Sequence, residues 1–157
     1  MEPLIILVSV ALTLVVARAL GLTRVPPWPF AVRIGLAGMF TATGIAHFVG
    51  LRGELVAMVP PSLPAPELLV TVTGVLELAG AIGLLVDRTA RPAALGLAVL
   101  LLAMFPANVH AAANGLSRAF GDQLLPRTIM QVVFLAATVA VLVKHRSRRP
   151  ALDRAQV

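Results

Sequence analysis

The chain has 157 residues, of which 59% are hydrophobic and only 13% charged, and its mean hydropathy is +0.94; a water-soluble domain of this size carries roughly a quarter charged residues. Its net charge of +6 comes without the basic face and interleaved aromatics of a nucleic-acid binder, since there is one Trp, no Tyr, and five of the 13 Lys and Arg lie after Val143. With no cysteine, disulfides, thiolate nucleophiles and Cys-ligated zinc or iron–sulfur centres are excluded, so any redox role borrows its electrons from a bound molecule.

The charges cluster between long apolar runs, which is the pattern of an all-α membrane protein. The first run, Leu4 to Leu20, is interrupted only by Arg18 near its end, where a long side chain reaches the headgroups. A signal peptide is the alternative. Glu2 ahead of the run, with no Lys or Arg beside it, and the length of the apolar stretch argue against cleavage. Thr23 to Phe30, TRVPPWPF, has three prolines in eight residues and reads as an interfacial loop, with Trp28 in the aromatic belt.

The second run extends from Ala31 to Leu51, with Arg33 at its start, His47 near its end, and Gly35, Gly38 and Gly44 thinning its surface for a neighbouring helix. MVPPSLPAPE, residues 58 to 67, carries four prolines between Pro60 and Pro66 and is an extramembrane loop or a shallow re-entrant segment. The third run is Leu68 to Val86, the fourth Ala93 to Ala113 and the fifth Thr128 to Val143, each long enough at 1.5 Å per residue to cross a bilayer. Five crossings are expected. Four remain if the first run lies flat or is removed.

Dealing the loops alternately to two sides gives one side Arg18, Arg24, Arg33, Arg88, Arg91, Lys144, Arg146, Arg148, Arg149 and Arg154, ten of the 13 basic residues. The other side keeps Arg52, Arg118 and Arg127 with Glu2, Glu54, Glu67 and Asp122. By the positive-inside rule the N-terminus is outside and the C-terminus cytoplasmic.

Glu77 stands in the middle of the third run, where a carboxyl group must face protein rather than lipid. Thr73, Gly74, Gly80 and Ala81, three and four residues away, give it a face of small residues that admits a partner helix. It is either a neutral acid that glues helices together or a proton-carrying, substrate-binding one. His47, Asn108, Arg127 and Gln131 all fall in the outer half, although His47 also suits a headgroup-level histidine and Arg127 an ordinary flanking anchor. Pro106 frees the Leu102 carbonyl for another partner. His110, two residues beyond Asn108, turns about 200° away from it and reads as interfacial. Glu77 and His47 are the candidate catalytic groups and Asn108, Arg127, Gln131 and Pro60 the candidate ligand-binding ones, in one polar pocket opening outward beneath a Pro60–Pro66 lid. The histidines and Glu77 make an incomplete metal-ligand set, so no metal site is expected.

GIAHF, MVPPSLP, TGVLELAGAIGLL with an arginine beyond it, MFPANVHAA and RTIMQ, in that order and spacing, resemble the DoxX-like family of small bacterial membrane proteins. The resemblance covers roughly Arg33 to Val143 and implies a four-helix transmembrane bundle. It divides the chain into an additional N-terminal transmembrane helix (1–24), the DoxX-like four-helix domain (31–143) and a basic cytoplasmic tail (144–157) in the bacterial inner membrane. His47, Pro60, Glu77, Pro106, Asn108, Arg127 and Gln131 match the family pattern, with no catalytic role to carry over.

The family is linked to quinone-coupled oxidation of sulfur compounds, membrane oxidoreductase complexes and resistance to quinones and catechols. The resemblance therefore implies a redox-associated subunit that binds a quinone or similar lipophile. An apolar cavity with a few polar groups suits such a molecule. Two other readings stay open: a membrane isomerase or cyclase in which Glu77 protonates a lipophilic substrate, and a non-catalytic scaffold or assembly partner of another membrane protein or of a second copy. The partners expected are membrane lipids and such a lipophile, with no nucleic acid.

Overall fold

A computed structural model describes residues 2–21, 28–116 and 123–146, with side chains over 3–21, 30–116 and 123–143. The expected belt position of Trp28, the Thr23–Pro27 part of the first loop, Arg118, Asp122 and the basic residues of the tail lie outside the described side chains.

The described residues are all-helical: α1 (Glu2–Ala19), α2 (Trp28–Ala46), α3 (Arg52–Met58), α4 (Pro66–Leu85), α5 (Ala90–Ala113) and α6 (Leu124–Arg146). Three of them, over Pro66–Leu85, Ala90–Ala113 and Leu124–Val143, are long and apolar enough to cross a membrane. The apolar helices Pro3–Ala19 and Phe30–Ala46 are shorter.

Several boundaries differ from the hydropathy runs. The second run ends as helix at Ala46, not Leu51, because the chain turns at His47 to Gly50, where Gly50 has φ +76. A separate short helix, α3, then occupies residues expected to lie between a crossing and a loop. α4 starts at Pro66 and α5 runs through Pro92, because the first turn of a helix has no use for a proline N–H. Ala65, just before α4, is left-handed at φ 50, a conformation that costs a non-glycine residue about 1 kcal/mol.

α2 packs against α1, α4 and α6, α4 packs against α5, and α5 against α6, while α3 lies on α4 and α5. The common core holds Leu36, Met39 and Phe40 of α2, Leu84 of α4, Leu97 of α5 and Phe134 of α6, with Leu7 of α1 joining it. Glycines set the helix spacing. A methyl group at Gly35 would stand 2.9 Å from the Leu7 carbonyl oxygen, so α1 meets α2 backbone to side-chain stub. Gly80 and Gly83 of α4 take Leu97 and Ala93 of α5, where added carbons would come within 2.5 and 2.8 Å.

At one end of the bundle Arg33 is buried at 6% exposure. Its Nε donates to the Leu84 carbonyl at 2.8 Å, Nη1 pairs with Asp87 at 2.6 Å, and the guanidinium lies 5.0 Å from the Phe30 ring. α2 and α4 are thereby clasped at this end, with the start of one beside the end of the other.

Candidate functional site

The opposite end of the same helix pair carries the candidate acid and base. His47 follows the last residue of α2, and its amide bonds the Gly44 carbonyl at 3.3 Å, which turns the side chain onto α4. It fits there because Gly74 is flat: a Cβ on Gly74 would lie 2.5 Å from His47 Cβ and 3.0 Å from Phe48. Nδ1 of His47 lies 2.8 Å from the Val70 carbonyl oxygen. A carbonyl only accepts, so Nδ1 carries a proton, and the neutral ring presents the Nε2 lone pair on its other side. The Thr73 hydroxyl, 3.1 Å from Nδ1, donates to the Leu69 and Val70 carbonyls.

Nε2 faces Glu77 Oε2 at 3.8 Å, and both side chains are about 95% buried. That separation is too long for a hydrogen bond, and Oε2 has no hydrogen-bond partner although it is fully enclosed. Thr43 of α2 lies beside the carboxyl group. A methyl group at Gly44 would approach Glu77 Cβ to 3.3 Å and Leu78 to 2.9 Å, so a second glycine brings α2 against the acid. A buried oxygen left without a partner costs free energy unless something satisfies it.

Arg52, read from the sequence as an outer flanking charge, positions this pair. Its Nη1 donates to the His47 carbonyl at 3.0 Å, and Nη2 reaches the Thr71 hydroxyl at 3.0 Å and the Glu67 carbonyl at 3.3 Å. The first residue of α3 thus ties the end of α2 to the start of α4.

Asn108, Arg127 and Gln131 lie between α5 and α6. Arg127 Nη1 donates to Asn108 Oδ1 at 2.6 Å and contacts Met58 Sδ of α3 at 3.8 Å. One turn deeper, Gln131 is buried and donates through Nε2 to the Leu101 carbonyl at 2.7 Å. Pro106 stands within α5; the carbonyl that takes the partner from α6 is that of Leu101, next to the expected Leu102. His110 bonds Asn114, one turn on, at 3.1 Å.

Two polar pairs are therefore placed, His47 facing Glu77 and Asn108 bonded to Arg127, with α3 packed against both α4 and α5. Pro60 is half-buried in the turn beyond α3, its carbonyl accepting from Leu63 at 2.9 Å. Among the described residues no group of three or more His, Asp and Glu is placed to hold a metal ion.

No curated protein and no solved structure matches the chain. Residues 36–129 match a family model described as a domain of unknown function, DUF8561. That stretch is more than half of the chain and contains His47, Glu77, Asn108 and Arg127, leaving α1 and most of α6 outside. The chain belongs to the DUF8561 family.

Proposed function

We propose that this protein is a multi-pass subunit of the bacterial cytoplasmic membrane that binds a quinone or a similar lipophilic molecule at His47 and Glu77, in association with a redox partner. The observation that carries the reading is the buried pair at 3.8 Å with an unpartnered carboxyl oxygen. An oxygen about 2.8 Å from each of these atoms would satisfy both. A quinone carbonyl accepts from a protonated carboxyl and a quinol hydroxyl donates to Nε2, so the pair matches both redox forms. The electrons come from the partner.

In this reading the chain crosses five times, with α2, α4, α5 and α6 as a four-helix transmembrane bundle of the DoxX-like kind and α1 added on the outside of α2. The 17-residue apolar stretches of α1 and α2 span roughly 25 Å at 1.5 Å per residue, short of the roughly 30 Å hydrocarbon core by an amount that local thinning and snorkelling side chains absorb. The burial of Arg33 beside Asp87, with Arg88 and Arg91 at the same end, supports a cytoplasmic placement of that end. His47, Asn108 and Arg127 then lie toward the outside.

The test is the lipophile content of protein purified in mild detergent. Quinone accompanies the wild type and is lost in Glu77→Leu, which removes both the donor and the acceptor. Turnover of a supplied lipid with no quinone bound would instead favour an isomerase or cyclase, and a membrane protein that co-purifies regardless of Glu77 would favour a scaffold.

A further inference from the structure

We propose that the groove between the start of α5 and the end of α6 is a seat for one anionic phospholipid. Arg91, Pro92 and Leu95 form one wall, Leu142 and Val143 the other, around about 450 Å³. Leu95 and Val143 are 55% and 59% exposed, so the floor and lip of the groove are apolar. Arg91 is exposed on its wall, and Arg88 is exposed three residues earlier in the chain. Neither guanidinium bonds another described residue. The nearby acid, Asp87, is taken by Arg33.

The Thr89 hydroxyl donates back to the Gly83 and Val86 carbonyls, and no side chain caps α5. The positive end of the helix dipole therefore faces the same level as the two arginines. A cationic edge above an apolar floor, at the depth where the orientation proposed above places the headgroups, fits a phosphate with its acyl chain. A free anion would leave the apolar walls uncovered. A zwitterionic lipid would bring its own positive charge toward the arginines.

This inference rests on the membrane reading but not on the quinone. Native mass spectrometry of the full chain, with phosphatidylglycerol and phosphatidylcholine of identical acyl chains in competition, reads it directly. One phosphatidylglycerol is retained in preference to phosphatidylcholine. Arg91→Gln lowers that preference about fivefold, the worth of one basic residue at a membrane surface, and Arg91→Lys keeps most of it. Leu95→Gln weakens retention of either lipid, while Arg154→Gln changes nothing. Equal losses in Arg91→Gln and Arg154→Gln would reduce the effect to net charge and overturn the seat. So would absence of any preference in the wild type, or displacement of the lipid by inorganic phosphate but not by chloride of matched ionic strength. Because Arg91 bonds no other described residue, its variants keep the fold, which circular dichroism verifies. Glu77→Leu leaves the lipid ratio unchanged, which separates this site from the quinone reading. Release of the protein from membranes by alkaline carbonate would refute the membrane placement itself.

Discussion

Replacing Gly74 by alanine tests whether the approach of α2 to α4 is what buries the acid–base pair. The new methyl group would stand 2.5 Å from His47 Cβ and 3.0 Å from His47 Cγ and Phe48 Cε2. His47 Cβ is anchored to the backbone, so the two segments must part by about an ångström to reach ordinary contact. Overpacking of this kind costs about 1–3 kcal/mol, against which the helix preference of alanine over glycine returns about 1 kcal/mol. Gly96→Ala is the internal control. Nothing lies within 4 Å of its added carbon, so only the gain of up to about 1 kcal/mol remains. Gly80→Ala falls between, since the carbon meets the Leu97 side chain at 2.5 Å, and part of that side chain can rotate away. Unfolding in mixed micelles, followed by circular dichroism against the fraction of denaturing detergent, should rank stability as Gly96→Ala, wild type, Gly80→Ala, Gly74→Ala. If Gly74→Ala proved as stable as Gly96→Ala, the close packing of His47 on α4 would be wrong.

Two further outcomes follow from the other end of the bundle and from the placement of the chain ends. Asp87→Asn should cost under about 1 kcal/mol, less at high salt, because its side chain is 81% exposed; Arg33→Ala should cost at least about twice as much, since it also abandons the Leu84 carbonyl and leaves a hole beside Phe30. Equal losses measured in the same denaturing-detergent titration would contradict the clasp. A reporter active only in the cytoplasm should work when fused after Val157 and fail after Gly53, and the reverse pattern would invert the orientation.

Hydropathy located the long helices because sustained apolar runs have few alternatives, and it placed Glu77 against protein because lipid offers a carboxyl group no partner. The short helix α3 was not legible: seven residues hold too few turns for periodicity, and its role depends on Arg52 reaching Thr71 across the intervening proline-rich turn. That Asn108 and Arg127 share one level of the bundle was readable, and they do meet. Their division from His47 and Glu77 was not, because spacing along one helix says nothing about which neighbour a face meets. Arg33 was read as one more flanking positive charge. The signal that identifies its role is Asp87, an acid beside Arg88 just beyond the end of the helix that packs against α2. The glycines were recognised as contact makers, but Gly35 and Gly38 serve α1 whereas Gly44 serves α4, a distinction that only packing supplies. α1, which contributes no charged group to the core, still places Leu7 in it.

We propose that His47 and Glu77 hold a lipophilic oxygen ligand between α2 and α4. Titration of quinone-stripped protein in mild detergent with a short-chain benzoquinone measures this binding, comparing wild type with Glu77→Leu and using circular dichroism to confirm that both are folded. Leaving a buried hydrogen-bonding group unsatisfied costs about 1–3 kcal/mol, so saturable binding by the wild type should weaken at least about fivefold in the variant. Equal affinity in the two proteins, or no saturable binding by the wild type, would mean that the pair holds no such ligand.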